Sequence, residues 1–190
     1  MPPPTEFLFC DSQLGAFLTA IVESFARRIG SDHALSAAHL QRIAYACQSQ
    51  GVPLHARFLL HTRGFYSDEI EFLIDSLAAD GVIADGATAD TGIRPGARLV
   101  SLLERYAKTV DGYRAKIDQV VDALGVLRKQ ELELVSALHF EYERTRQFHP
   151  GTLPHREQVI AEVKQVKRDR FSDDDLGRVY ESLQLAGLLA

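Results

Sequence analysis

The sequence contains no tryptophan, one methionine and two cysteines, and it has no apolar run that approaches 18 residues. Without such a run, we expect no transmembrane helix and no membrane partner. Cys10 and Cys47 are too few to build a disulfide framework or a four-cysteine metal site. The N-terminal segment 1–4, Met-Pro-Pro-Pro, lacks the basic start and apolar stretch of a signal peptide, so we expect a cytoplasmic protein.

The overall composition is that of an ordinary globular protein. Of the 190 residues, 46% are hydrophobic and 25% are charged, with a formal net charge of -5. This balance excludes a disordered or fibrous chain. The length corresponds to one domain, or to one domain with an appended half.

The N-terminal half predicts two helices followed by a short strand. Apolar residues at helical spacing indicate a first helix that ends at Gly30, namely Leu14, Phe17, Leu18, Ile21 and Phe25. Ser36 is a candidate N-cap for a second helix, which Gly51 ends. Residues 57–62 are too few for a helix and are bounded by turn residues, so they predict a strand.

A third helix and a hairpin complete this half. Ser67 predicts the N-cap of a helix whose apolar stripe is Ile70, Leu73, Ile74 and Leu77, and Gly81 predicts its end. Residues 84–96 are small and turn-prone, as in a hairpin or wing. The order helix, helix, strand, helix, hairpin predicts a winged helix-turn-helix in a first domain of residues 1–96.

Residues 97–190 also show helical periodicity. Apolar stripes over 113–124 and 134–142 predict a helical hairpin, and Ser172 predicts the cap of a last helix. Residues 176–189 follow the same plan as residues 70–83, with aliphatic residues, then Gly, then two more aliphatics. Two interpretations stay open: a second helix-turn-helix-like half, or two independent uses of a common capped helix. The fold class is therefore mainly α.

Several short motifs resemble those of the YwgA-like bacterial proteins and, more distantly, those of the Panacea or SocA-like antitoxin domain. The motifs are Leu40-Gln41-Arg42-Ile43-Ala44-Tyr45, Gly51-Val52-Pro53-Leu54, Gly64-Phe65-Tyr66-Ser67, and the stretches 133–140 and 167–172. Arg42 replaces a family Lys, and Phe65 replaces a family Pro. The resemblance implies a helical winged-helix architecture with no assigned chemistry. For the antitoxin relatives, it implies a partner that is a toxin or a substrate delivered to a protease.

The charge of the third helix argues against DNA binding through that helix. Residues 68–90 carry seven acids and no Lys or Arg. Asp68, Glu71 and Asp75 are predicted to lie opposite the apolar stripe, and Phe72 falls on the same side. Phosphate would be repelled by this face. It is either an ordinary solvated surface or a protein-binding surface.

Positive charge collects further along the chain. Residues 94–129 carry eight basic residues against four acids. The candidates for contact with a DNA backbone are Arg94, Arg98, Arg105 and Lys108.

No familiar catalytic or metal motif occurs. His139, His149 and His155 lack helical metal-ligand spacing, and His55 is too far along the predicted strand from His61 to share an ion with it. Cys47 falls in a core stripe, where a thiol is not activated. We therefore expect no enzyme, no cofactor and no bound metal.

Three functional hypotheses remain at this point. The leading one is a non-enzymatic bacterial winged-helix protein that acts by protein–protein contact, as an antitoxin-like or adaptor component. The alternative is a transcriptional regulator that binds DNA through the wing and residues 94–129. The third is a homodimer formed by the apolar helices within 112–146.

Overall fold

A computed structural model describes residues 8–30, 33–61, 64–84, 92–149, 151–167 and 170–189. The chain is mainly helical, as the periodicity predicts. Its described residues divide into two compact units: positions before 60 together with 65–126, and positions 60–64 together with 127 onwards. Within the described ranges, no helix combines the length and the apolar character needed to cross a membrane.

The elements up to residue 126 include six α-helices and two short hairpins among the described residues. They are α1 (Gln13–Arg28), α2 (Ala37–Ser49), β1 (Leu59–His61), β2 (Gly64–Tyr66), α3 (Asp68–Ala79), β3 (Ile83–Ala84), β4 (Arg94–Pro95), α4 (Leu99–Arg105), α5 (Ala107–Val110), a 3-10 turn (Asp111–Tyr113) and α6 (Arg114–Leu124).

The core of the first unit forms around α1. Phe17, Leu18 and Ile21 are fully buried there, as the helical stripe predicts. Helix α6 packs against both α1 and α2 and buries its own apolar stripe, Ile117, Val120, Val121 and Leu124, in this contact. The first arm of the helical hairpin predicted over 113–142 therefore belongs to the first unit and its second arm to the second unit, and the hairpin itself stays a prediction. The compact units divide after Val126, and the predicted domain boundary at residue 96 stays a prediction.

Both hairpins are two-stranded. Strand β1 confirms a strand within 57–62, whereas its partner β2 was not predicted. Strands β3 and β4 pair antiparallel, with Ile83 opposite Pro95, at the two ends of the segment predicted to be a hairpin or wing. The intervening residues 85–91, with two of the predicted acids, Asp85 and Asp90, lie outside the described residues.

The second unit contains α7 (Lys129–Phe148), α8 (Arg156–Lys167) and α9 (Asp173–Leu185). Each of these helices packs against the other two. Their shared core consists of buried apolar side chains, chiefly Leu132, Leu138, Tyr142, Val159, Val163, Leu176, Tyr180 and Leu183. The apolar stripe of α7 is thus covered inside its own unit, as is that of α6, so neither stripe is available for the proposed homodimer.

Helices α3 and α9 end in the same way. The Val82 and Leu188 amides donate to the carbonyls of Leu77 and Leu183, and Gly81 and Gly187 have the same φ of +69°. Helix α2 also ends in this arrangement, where Val52 N–H donates to Cys47 O next to Gly51. The sequence similarity between 70–83 and 176–189 is therefore explained by a widely used helix terminus.

Candidate protein-binding face on α3

Four predicted site residues lie together on the solvent side of α3. Asp68, Glu71, Phe72 and Asp75 follow the spacing i, i+3, i+4, i+7, which places them on one helical face. All four are exposed, and Phe72 exposes 73% of its surface. We call this set the α3 face. Phe9 and Phe148 are exposed to a similar degree, so Phe72 is distinguished by its position among exposed acids on one helical face.

The opposite side of α3 fixes this orientation. Ile70, Ile74 and Leu77 are buried against the rest of the first unit, as predicted, and Leu73 is half-buried. At the N-terminus, the Ser67 hydroxyl accepts from Ile70 N–H at 3.4 Å, while Ser67 N–H donates to Gln41 Oε1 at 2.7 Å. The helix is therefore tied to α2 at its start and cannot rotate to bury Phe72 without losing these contacts.

Asp80 holds the other end of α3, and its role was missed in the sequence. Its Oδ2 accepts from Cys10 N–H at 2.8 Å, and its carbonyl accepts from Arg98 Nη1 at 2.9 Å. Burial opposes ionisation, yet hydrogen bonds from Cys10 and Phe9 and the charge of Arg98 keep the pKa of Asp80 below its usual value. Asp80 is only 5% exposed and does not belong with the surface acids. Only its buried neighbours distinguish it.

Among the described residues, no ion pair involves Asp68, Glu71 or Asp75. Asp68 and Glu71 lie in the first turn of the helix, where its dipole favours negative charge. The local structure thus tolerates the acids but does not neutralise them.

Elsewhere in the first unit, several acids are paired with arginines. Arg27 binds both oxygens of Asp118 at 2.7 and 2.8 Å, and Arg28 pairs with Asp122. Arg114 donates to Glu23 at 2.5 Å. These pairs join α1 to α6. The acids of the α3 face differ from these acids because they are exposed to solvent and have no basic partner among the described residues.

The four basic residues predicted for DNA contact are used differently from one another. Arg94, on β4, and Lys108, on α5, are exposed. Arg98 is half-buried and donates to the end of α3, whereas Arg105 pairs with Asp11 at 2.7 Å. Two of the four therefore have structural contacts of their own.

Buried histidines and cysteines complete the inventory of reactive groups. Burial raises the pKa of the Cys10 thiol to about 12, with the hydrogen bond to Asp80 acting in the same direction, and burial also raises the pKa of Cys47.

His39 lies in the core of the first unit and His139 in that of the second. His39 Nε2 is 3.0 Å from the Leu124 carbonyl oxygen, and His139 Nε2 is 3.0 Å from the Leu188 carbonyl oxygen. Burial lowers the pKa of His139 to about 4. In the described ranges, no three His, Cys, Asp or Glu side chains are placed to hold a metal ion.

The chain matches no protein-family model, and no curated protein matches it.

Proposed function

We propose that this chain is a non-enzymatic bacterial protein that acts through protein–protein contact, as an antitoxin-like or adaptor component, and that the α3 face is its binding surface. The observation that carries the proposal is an exposed phenylalanine set among exposed carboxylates that have no cation among the described residues. Phenylalanine, like tyrosine and tryptophan, is enriched in protein interfaces relative to the rest of the surface.

The order of elements supports a winged-helix-like arrangement in the N-terminal part of the chain. Helices α1 and α2, the β1–β2 hairpin, α3 and the β3–β4 hairpin follow one another as in the predicted plan. In a DNA-binding winged helix, the helix at the position of α3 enters the major groove. Here that helix carries acids, which phosphate repels, so a protein partner fits the surface better. The resemblance to the Panacea antitoxin domain agrees with this type of partner.

The test is capture of partners by the tagged protein from its native host. We expect the variant Asp68→Lys, Glu71→Lys, Asp75→Lys to lose at least tenfold in recovery of a stoichiometric partner, because the α3 face changes sign. The matched control is Glu104→Lys, Glu157→Lys, Asp174→Lys, which makes the same charge change at exposed acids away from α3. Equal recovery with all three proteins would exclude the α3 face as the binding surface.

The exposure of Arg94 on the β3–β4 hairpin keeps a DNA-binding regulator as a second proposal. The same capture, split into nuclease-treated and untreated halves, separates the two. A regulator predicts enriched DNA that is lost with salt and with Arg94→Ala plus Lys108→Ala. Arg98 is not a useful site for this test, because its contact with Asp80 supports the fold.

A further inference from the structure

We propose that the α3 face recognises an arginine-bearing protein segment, with a guanidinium stacked on Phe72 and paired with a neighbouring carboxylate. This inference rests on the proposed function and adds the chemistry of the partner. It commits to arginine over lysine, and to a protein segment over a nucleic acid.

The spacing along α3 leaves room for one guanidinium between the Phe72 ring and a neighbouring carboxylate. Asp68 lies four residues before Phe72, and Asp75 three residues after it. At the rise of an α-helix, these positions are about 6 Å and about 4.5 Å from Phe72 along the axis. A cation above the ring therefore has a carboxylate within reach on either side. Glu71 adds negative charge at the edge of the same face.

Arginine suits this arrangement better than lysine. Its planar guanidinium stacks on aromatic rings and offers two parallel N–H donors to a carboxylate. A lysine ammonium is a compact, strongly hydrated charge that does not stack in this way. An aromatic ring beside a carboxylate therefore favours the binding of arginine over lysine, whereas carboxylates alone would bind either cation.

The second unit already contains this combination. The guanidinium carbon of Arg170 lies 5.9 Å from the centre of the Phe171 ring, and Arg170 Nη1 donates to Glu133 at 2.7 Å. One arginine thus contacts a ring and a carboxylate at the same time. On α3, the ring and the acids are present and the arginine would come from the partner.

Charge complementarity also distinguishes α3 from α9. In α9, Asp173 pairs with Lys164 at 2.6 Å and Asp175 pairs with Arg178. On α3, no cation of the described residues takes this place. An arginine from a partner would pair with the acids of α3 as Lys164 and Arg178 pair with acids of α9.

The experiment measures binding of two fluorescent nine-residue peptides, all-arginine and all-lysine, to the full chain by anisotropy at moderate salt. We expect the arginine peptide to bind about fivefold more tightly, which is the range of a cation–π contact. Phe72→Leu should remove this preference and leave the lysine peptide unchanged. The variant Asp68→Asn, Glu71→Gln, Asp75→Asn should weaken the binding of both peptides at least tenfold, whereas the variant Glu104→Gln, Glu157→Gln, Asp174→Asn should not.

Equal binding of the two peptides, binding of neither, or a preference that survives Phe72→Leu would overturn the inference. Far-ultraviolet circular dichroism and the melting temperature of each variant show whether it is folded, and Leu185→Ala serves as a control for loss of an exposed apolar side chain. These results are independent of partner capture. If the lysine variant of the α3 face loses its partner while the peptides do not differ, the proposed function stands and the arginine inference falls.

Discussion

Helices α3 and α9 follow one local plan in two different surroundings. Each begins at a serine N-cap followed by aspartate and ends at a glycine with φ of +69° and a buried aliphatic residue. In α9, two of the first-turn acids are paired with basic side chains. In α3, the acids remain exposed beside Phe72.

The difference shows that capping motifs determine where a helix starts and stops but not what its outer face does. The end of α3 is held by the carboxylate of Asp80, which accepts from Cys10 N–H. The segment after α9 is held by a histidine, with His139 Nε2 close to the Leu188 carbonyl. Each helix therefore depends on its own titratable neighbour, and this dependence can be measured.

The largest expected effect concerns the acid stability of the structure around α9. Burial lowers the pKa of His139 from 6.5 to about 4, so the folded state binds fewer protons than the unfolded state between these values. Stability should therefore fall as the pH drops from 6.5 towards 4, by about 3 kcal/mol in total. His139→Gln keeps a donor for the Leu188 carbonyl but does not titrate, and it should lack this loss.

Urea unfolding followed by circular dichroism between pH 7 and pH 4 measures the difference in stability between the wild type and His139→Gln.

Asp80→Asn is the corresponding variant at the end of α3. The pKa of Asp80 is lowered below 3.8, so its contribution is present above that value and is lost only at lower pH. Asp80→Asn should thus follow the wild-type profile in shape between pH 7 and pH 5. A His139→Gln profile parallel to the wild type would contradict the role given to this histidine.

A smaller and equal effect is expected at the two helix ends. Gly81→Ala and Gly187→Ala each place a side chain on backbone with φ of +69°, which should cost roughly 1–2 kcal/mol. Gly112→Ala is the control, since no atom lies near its added Cβ and its φ is not positive. Thermal unfolding checks all three. A cost at only one of the two ends would break the comparison of α3 with α9.

The smallest effect concerns the surface acids. Asp173 and Lys164 are both exposed to solvent, at 69% and 36%, so Asp173→Asn should cost about 0.5 kcal/mol or less after screening. Asp75→Asn on α3 should cost nothing measurable, because it breaks no ion pair among the described residues. Melting temperatures at low and high salt measure both. A clear loss for Asp75→Asn would mean that its carboxylate has a structural role.

Local chemistry explains which predictions were confirmed. The apolar stripe of α1, the serine caps at Ser36, Ser67 and Ser172, and the exposed set on α3 depend on spacing within one helix, and a sequence displays such spacing directly. The packing partners of the helices depend on distant contacts. The stripe of α6 could have paired with α7, and only packing shows that it covers α1 and α2.

Asp80 at the end of α3 and His139 near the end of α9 show the same limit of prediction from the sequence. Asp80 resembles six other acids in its segment, but it alone is known to be buried and bound to a residue 70 positions away. His139 lies on an amphipathic helix and contacts a carbonyl 49 positions away. Neither partner can be identified from periodicity.

The sequence by itself determined where α2 and α3 begin and end, where α9 begins, and which side of α3 faces solvent, because capping and amphipathic spacing act over a few residues. Only the tertiary structure decided which helices share a core, where the chain divides, and which charges are neutralised. These outcomes depend on side chains far apart in the chain that meet only when the apolar stripes have packed.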